Sequence, residues 1–309
     1  MKIISIIVPC YNEAKNIEFF YEEIVKVINQ NSDYIYEVIC VDDGSSDNTL
    51  SQLLEIVTSD DRFKIIELSR NFGKEAAITA GIDYSNGDAV IPIDCDLQDP
   101  PELIGEMIKK WEKGAEVVLA KRIDRSEDSM FKRKSAEFFY KVHNKLANIN
   151  IPDNVGDFRL MDRVVVNSIN ELRERQRFMK GIFAWVGFKS IGVEMIRPPR
   201  FGGESNAHTK VVLGLAIKGI LSNSIKLLRF ISYFGLGLST ISFLTVIPMA
   251  IVWFTIGVPF AGFGTIVSLI LLGIGLQSLM LGILSEYVGL VYQEVKGRPN
   301  FIISSDHNF

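Results

Sequence analysis

Ile3-Ile4-Ser5-Ile6-Ile7-Val8 is an apolar run broken only by Ser5, and Pro9-Cys10-Tyr11-Asn12-Glu13 follows it at once. A run this short and without alternation reads as a strand buried on both faces. Ile17, Phe20, Tyr21, Ile24, Val27 and Ile28 then recur at helical spacing, the stripe of an amphipathic helix. The alternation continues. Strands over residues 37–41, 65–68, 89–93 and 117–120 are interleaved with helices over 47–57, 76–84 and 101–113, the last opening on Pro101. Strands alternating with helices predict an α/β domain whose mostly parallel sheet is covered on both faces. Ligands of such sheets bind at the carboxyl ends of the strands. The polar clusters of this sequence lie there.

Beyond residue 121 the pattern loosens. A charged, aromatic-rich helix is expected over 129–147, a turn-prone stretch over 150–159 and a helix over 163–173. The aromatic segment 178–188 reads as packing, and Pro198-Pro199-Arg200 with Gly202-Gly203 punctuates the end of the globular part. Of the 309 residues 48% are hydrophobic, and the excess is concentrated: Phe230 to Ser285 contains no Asp, Glu, Lys, Arg or His. About 20 residues cross a bilayer, so this stretch is too long for one span. Gly257 to Gly264, with Pro259, divides it into spans at 231–256 and 265–284. A hairpin buried in a soluble core is the alternative.

Before the spans, residues 209–229 set Val212, Leu215, Ala216, Ile220, Ile225 and Leu228 among Lys210, Lys218, Lys226 and Arg229, an amphipathic helix for the membrane surface. Lys226 and Arg229 before the spans, and Lys296 and Arg298 after them, put both outer ends in the cytoplasm by the positive-inside rule. The expected organisation is therefore a cytosolic domain at 1–208, an interfacial helix at 209–229, a two-span hairpin at 230–288 and a cytosolic tail at 289–309, in the plasma (inner) membrane. Met1-Lys2 leads straight into the first strand, with no signal-peptide pattern. A net charge of −4 gives no electrostatic sign of a nucleic-acid partner. Cys10, Cys40 and Cys95 lack metal-ligand spacing and read as buried, reduced thiols. Gly235, Gly237, Gly273, Gly275 and Gly282 permit close helix packing, compatible with a homo-oligomer.

Three clusters carry chemistry. Asp94-Cys95-Asp96 follows the fourth strand and precedes Leu97-Gln98-Asp99-Pro100-Pro101-Glu102. Two carboxylates one residue apart at a strand end can hold a divalent ion against a diphosphate, and oxygen ligands favour Mg²⁺ or Mn²⁺. Asp42-Asp43-Gly44-Ser45 ends the second strand and fits either turn chemistry or nucleoside recognition. Pro9 to Glu13 offers a ring and polar groups beside it. GxGxxG and GxxxxGK[ST] are both missing, which argues against dehydrogenases and P-loop NTPases and leaves the phosphates to a metal.

Val8-Pro9-Cys10-Tyr11-Asn12-Glu13, Val41-Asp42-Asp43-Gly44-Ser45-Ser46-Asp47 and Asp94 to Glu102 resemble the three blocks of inverting family 2 glycosyltransferases. Ser69-Arg70-Asn71-Phe72-Gly73-Lys74-Glu75, Gly156-Asp157-Phe158-Arg159-Leu160-Met161-Asp162 and Arg200-Phe201-Gly202-Gly203-Glu204-Ser205 resemble blocks of its polyprenyl-phosphate branch. That branch includes dolichyl-phosphate mannose synthases and bactoprenol glucosyltransferases, and two C-terminal spans fit the bactoprenol type. The resemblance covers nearly the whole chain.

It implies a GT-A-type fold that transfers one sugar, with inversion, from a nucleotide sugar to a polyprenyl (undecaprenyl) phosphate at the cytosolic membrane face. Pro9, Tyr11, Glu13, Asp42 and Asp94 would hold the nucleotide sugar. Asp94, Asp96 and Gln98 would meet the metal and diphosphate, with Asp96 and Asp157 as the catalytic residues. Arg122, Arg133, Arg159 and Arg200 would bind the acceptor phosphate or the diphosphate, because the guanidinium fork matches phosphate. Two departures stand out. The Gln-x-x-Arg-Trp block of processive synthases is missing, Gln176-Arg177-Phe178 being no substitute, which implies a single transfer. Asn206-Ala207-His208 follows Ser205 where the branch often has Lys. The implied donor is UDP-glucose, with UDP-N-acetylglucosamine, GDP-mannose, another lipid acceptor, or an inactive membrane scaffold as rival readings.

Overall fold

Ile4, Ile6 and Val8 pack on one side of β1 (Ile3–Cys10) and Ile7 on the other, so the run is apolar without alternation. The computed structural model describes residues 1–123, 152, 154–175, 177–196, single positions between 233 and 255, and 262–309. The expected helix at 129–147, the interfacial helix, most of the first span, Arg133 and Arg200 lie outside the described residues.

The other strands are β2 (Ile35–Asp42), β3 (Phe63–Leu68), β4 (Ala89–Pro92), β5 (Val117–Arg122), β6 (Val155–Asp162), β7 (Ser190–Met195) and β8 (Ile303–His307). They form one sheet in the order β7-β5-β6-β4-β1-β2-β3-β8. The pairs β1·β2, β1·β4, β2·β3 and β5·β7 are parallel, as the alternation predicts. Two strands run the other way: β6 is antiparallel to β4 and β5, and β8 is antiparallel to β3. One core lies against α1 (Ile17–Gln30), α2 (Thr49–Ser59) and α4 (Leu103–Glu112), which contribute Phe20, Leu53 and Trp111. The opposite core lies against α3 (Lys74–Tyr84), α5 (Arg163–Glu171) and α6 (Met179–Trp185), with Ala77, Val166 and Phe183. Cys10, Cys40 and Cys95 are free and buried, as expected.

Helix α3 packs directly on the sheet through small residues. Ala76, Ala77, Ala80 and Gly81 form its buried face, and a Cβ on Gly81 would collide with the Ile7 side chain. That close seat fixes the first turn of α3, Lys74-Glu75, at the carboxyl end of the sheet.

Helix α7 (Phe263–Val295) has 33 residues and runs 11 past the expected end of the second span at Leu284. At 1.5 Å per residue it is about 50 Å long, against a hydrocarbon core of about 30 Å. Its stretch Gly273–Val295 is the one helix among the described residues long and apolar enough to cross a membrane. The surplus length reaches the domain. The Glu294 carboxylate accepts from the Arg175 backbone N–H at 3.0 Å, and Asn300 donates to the Glu174 carbonyl at 3.1 Å. The segment 289–309, expected as a tail, then supplies β8. Ser69 N–H donates to Ile302 at 2.9 Å, Asn308 donates to the Phe63 carbonyl at 2.9 Å, and the Phe309 ring meets Tyr84 edge-on at 5.4 Å. The sheet thus includes residues from both sides of the apolar stretch, and 1–208 is not its whole extent.

Candidate active site

The carboxyl ends of β1, β2 and β4 each end in a loop held by its own polar residues. After β1, Asn12 takes a left-handed φ of 54°, its N–H donating to Ser45 Oγ at 3.0 Å while its Oδ1 accepts from Ser46 N–H at 2.8 Å. Glu13 N–H donates to Thr49 Oγ1 at 2.8 Å. These bonds lock the Pro9–Glu13 and Asp42–Thr49 loops together and leave the Tyr11 ring 40% exposed beside them. Asn and glycine are the residues that adopt such φ values readily.

The two aspartates after β2, of which the family resemblance assigned only Asp42, have different surroundings. Asp43 is structural: its carboxylate accepts from Phe72 N–H at 2.7 Å and Gly73 N–H at 2.8 Å, tying the β2 and β3 loops together. Asp42 accepts from Ser45 N–H at 3.1 Å, while its Oδ1 is buried with no hydrogen-bond partner among the described residues. Burial raises the pKa of both above the ordinary carboxylate value. A buried acceptor left open at a strand end suits a ribose hydroxyl or a base N–H. Gly44 joins the loops at φ +67°, and a Cβ there would stand 2.5 Å from the Arg70 carbonyl carbon.

After β4, Asp96 is buried and accepts from Gln98 N–H at 3.1 Å across Leu97, whose φ is +56°. Asp94 is more exposed and lies 2.7 Å from the Lys74 ammonium. Asp94 and Asp96 are hard oxygen donors. Among the described residues no group of three His, Cys, Asp or Glu side chains is set to hold an ion. The protein's share of a metal site here would be two carboxylates, with Gln98 as the next oxygen donor in the loop. A diphosphate and water would complete six oxygen ligands, the usual arrangement for Mg²⁺ at a phosphate. Two hard carboxylate oxygens and an amide in one loop are donors whose chemistry fits a divalent ion.

Strand β6 brings the second half of the site. Its antiparallel course between β4 and β5 carries Asp157 to the same place, where the Lys74 ammonium reaches it at 3.2 Å. Burial by itself would raise the Asp157 pKa, yet Lys74, Lys180 and Arg159 hold it below the ordinary value, so it is ionised at neutral pH. Its Oδ1 has no hydrogen-bond partner among the described residues. Arg159 is buried, donates to the Gly156 carbonyl at 2.7 Å and covers the Phe183 ring at 4.0 Å. Burial lowers its pKa to about 10, still fully charged at pH 7. Arg122, at the end of β5, donates its backbone N–H to Asn154 at 3.0 Å, and its guanidinium lies beside Gly156. Asp94, Asp157, Arg122 and Arg159 are thus gathered around one end of the sheet.

Two residues of this site carried no assigned role from the sequence, although both stand in the Ser69–Glu75 block. Lys74 bridges carboxylates 20 and 83 positions away, a relation that spacing does not reveal. Glu75 is largely enclosed and its Oε2 accepts from the Met179 N–H at 3.1 Å.

Comparison with known proteins bears on this arrangement. Residues 5–169 match the model of the Glycosyl transferase family 2. The chain is 46% identical to the SfII prophage-derived bactoprenol glucosyl transferase of Shigella flexneri, over 98% of each chain. It is 44% identical to the prophage bactoprenol glucosyl transferase homolog of Escherichia coli K12, over 97% of this chain and 98% of that one. It is also 45% identical to an uncharacterised glycosyltransferase of Synechocystis sp., over 97% and 94%. Among solved structures, mannosyl-3-phosphoglycerate synthase from Rubrobacter xylanophilus superposes with a TM-score of 0.50 at 18% identity, over 76% of this chain and 75% of that one, a likeness of fold.

Proposed function

This chain belongs to glycosyl transferase family 2 and is a glycosyltransferase, and from that premise we propose that it transfers one glucosyl unit from UDP-glucose to a polyprenyl phosphate, with inversion, at the cytosolic face of the membrane. The observation that carries the reading is the Lys74 bridge. A carboxylate of the nucleotide-sugar loop, Asp94, and a carboxylate delivered by a separate strand, Asp157, share one ammonium. A donor anchored on the first and an acceptor facing the second would meet across it. The near full-length similarity to proteins called bactoprenol glucosyl transferases supports glucose and a polyprenyl phosphate as the pair.

In this reading Pro9, Tyr11, Glu13 and Asp42 hold the nucleoside, and Asp94, Asp96 and Gln98 hold Mg²⁺ or Mn²⁺ against the diphosphate. The ion, when bound, neutralises charge that grows on the departing diphosphate. An acceptor phosphate oxygen attacks the anomeric carbon from the face opposite the leaving group. The new C–O bond forms as the bond to the diphosphate breaks, and the bonding pair leaves with the diphosphate. Arg122 and Arg159, with Arg133 and Arg200, hold the acceptor phosphate. Asp157 orients acceptor and sugar. A phosphate monoester has its second pKa near 6, so at pH 7 most of the acceptor is already a dianion and needs no base.

Chain connectivity supports a two-span membrane anchor. The chain departs after Met195, at the carboxyl end of edge strand β7, and returns at Ile303 beside Leu68, at the carboxyl end of β3. A chain that leaves a sheet and rejoins it crosses a membrane an even number of times. Tyr233, Phe234, Leu244 and Ile251 are helical and exposed, and a Cβ on Gly235 would stand 3.9 Å from Met280 Sδ in α7, as in a packed hairpin. Both connections lie at the end of the sheet that holds the site, which turns its mouth toward the bilayer. The test is nucleoside diphosphate release by the purified full-length protein with undecaprenyl phosphate and a panel of nucleotide sugars. UDP release only with UDP-glucose and lipid together, lost in EDTA and restored by Mg²⁺ or Mn²⁺, is the expected result. Release with GDP-mannose instead, or full activity in EDTA, would overturn the donor or the metal assignment respectively.

A further inference from the structure

The last turn of α7 is docked on the domain, and no free linker separates it from the sheet. Glu294 Oε2 accepts from the Arg175 backbone N–H at 3.0 Å, and the Arg175 guanidinium donates to the Arg298 carbonyl. Between those two anchors the chain turns at Gly297, whose φ is +70°. Asn300 donates to the Glu174 carbonyl at 3.1 Å, and Phe301 and Ile303 pack against the core that also takes Phe72. The ladder of β8 on β3 follows, from Leu68 opposite Ile303 to Ile65 opposite His307. Phe309 closes it, edge-on to Tyr84 at 5.4 Å with the Lys64 ammonium 5.1 Å from its ring centre.

Both ends of this path are fixed to segments that lead into the site. Ser69 N–H, which donates to Ile302 at 2.9 Å, opens the stretch that ends at Lys74. Within that stretch Phe72 and Gly73 are tied to the Asp43 carboxylate. Glu174 and Arg175 lead into α6, where the Phe183 ring is covered by Arg159 at 4.0 Å. A shift of α7 is therefore passed to the Lys74 side and the Arg159 side together.

We propose that residues 294–309 are a strap that fixes the site to the membrane helix, so that a bilayer-held acceptor phosphate meets Arg159 at a set height and tilt. This rests on the polyprenyl-phosphate reading above and deepens it. A lipid phosphate is confined to the membrane surface, so a site on a loose tether would sample many positions and face it only part of the time. That lowers the effective concentration of one reactant at the other. The nucleotide sugar arrives from solution and is indifferent to where the site stands. The strap therefore bears on the lipid acceptor and not on the donor.

The test uses full-length protein in phosphatidylglycerol vesicles carrying undecaprenyl phosphate. One variant combines Glu294→Ala with an eight-residue Gly-Ser insertion between Val295 and Lys296, which leaves β8 in the sheet but frees it from α7. Eight such residues add a flexible reach of about 15 Å. The expected result is a KM for undecaprenyl phosphate raised on the order of tenfold, with UDP-glucose affinity and melting temperature unchanged. Glu294→Ala alone should give part of that rise, and Glu294→Gln, which keeps an oxygen for the Arg175 N–H, should stay near wild type. An undecaprenyl phosphate KM within twofold of wild type in the insertion variant would overturn the strap. An equal loss of UDP-glucose affinity, or a lowered melting temperature, would also overturn it, by making the segment a support of the fold alone. A wild type that binds UDP-glucose but moves no sugar to undecaprenyl phosphate would instead overturn the acceptor reading, and this inference with it.

Discussion

The Lys74 ammonium lies 3.2 Å from the Asp157 carboxylate while also lying 2.7 Å from Asp94, so one half-exposed cation joins the loop after β4 to strand β6. Both partners raise its pKa against the opposing effect of burial, and the side chain is charged throughout the physiological range. Two carboxylates converging without it would repel each other and swing apart. Lys74→Met should therefore lower kcat/KM on the order of 100-fold, about 2.7 kcal/mol in the transition state. Lys74→Arg, which keeps the charge with different geometry, should recover part of that. Steady-state kinetics on both variants decides it. A Lys74→Met enzyme within threefold of wild type would remove the bridge from the mechanism.

Gly44 offers a test of the loop scaffold. At φ +67° an added methyl group meets both backbone strain and the Arg70 carbonyl carbon at 2.5 Å. Gly44→Ala should cost about 1–2 kcal/mol or more and lower the melting temperature by roughly 3–8 °C. Because the loops of β2 and β3 meet there, KM for the nucleotide sugar should rise as well. An unchanged melting curve would show that the loops do not need this close approach.

Much of this architecture was legible in the sequence, for a physical reason. Strands β1, β2 and β4 are buried on both faces, so Ile3 to Val8 and Ala89 to Ile93 stand out as apolar runs. Strand β6 did not stand out. Val155-Gly156-Asp157-Phe158-Arg159 carries site residues on a strand, and Gly, Asp and Arg in five positions look like a turn. Strand β8 hides for a related reason: Ile303-Ser304-Ser305-Asp306-His307 is a polar edge strand held by ladder bonds and by Ser305 donating to Glu67 at 2.6 Å. Only the family resemblance separated Asp42 from Asp43 in sequence, because burial and backbone partners are what divide their roles. Lys74 and Glu75 were quoted with their block but gained meaning only when folding placed them beside Asp94, Asp157 and Met179.

Asp157 is held ionised, which gives a pH prediction with a definite sign. Its pKa lies below the ordinary carboxylate value, so its charge does not change between pH 6 and 9. If it positions acceptor and sugar, Asp157→Asn loses activity by a similar factor at every pH in that range. The measurement is the mutant-to-wild-type rate ratio from pH 6 to 9. A ratio that climbs steeply with pH would show that Asp157 removes a proton from the acceptor.

Topology is tested at Gly262, just before α7. A Cys placed there should react with a membrane-impermeant thiol reagent in intact cells, while a Cys at Ser304 in β8 should be protected until the membrane is opened. The reverse pattern would separate the site from cytosolic nucleotide sugars.

The most direct test of the central claim is the identity of the lipid product made by the purified full-length protein from UDP-glucose and undecaprenyl phosphate. UDP-glucose carries an α linkage, so in-line attack by the phosphate oxygen yields a β-glucosyl phosphodiester that mild acid cleaves. Anomeric coupling in the NMR spectrum of the isolated lipid reports the linkage. The account expects one acid-labile lipid with a β-linked glucosyl unit. An acid-stable glucoside, or an α-linked phosphodiester, would contradict it.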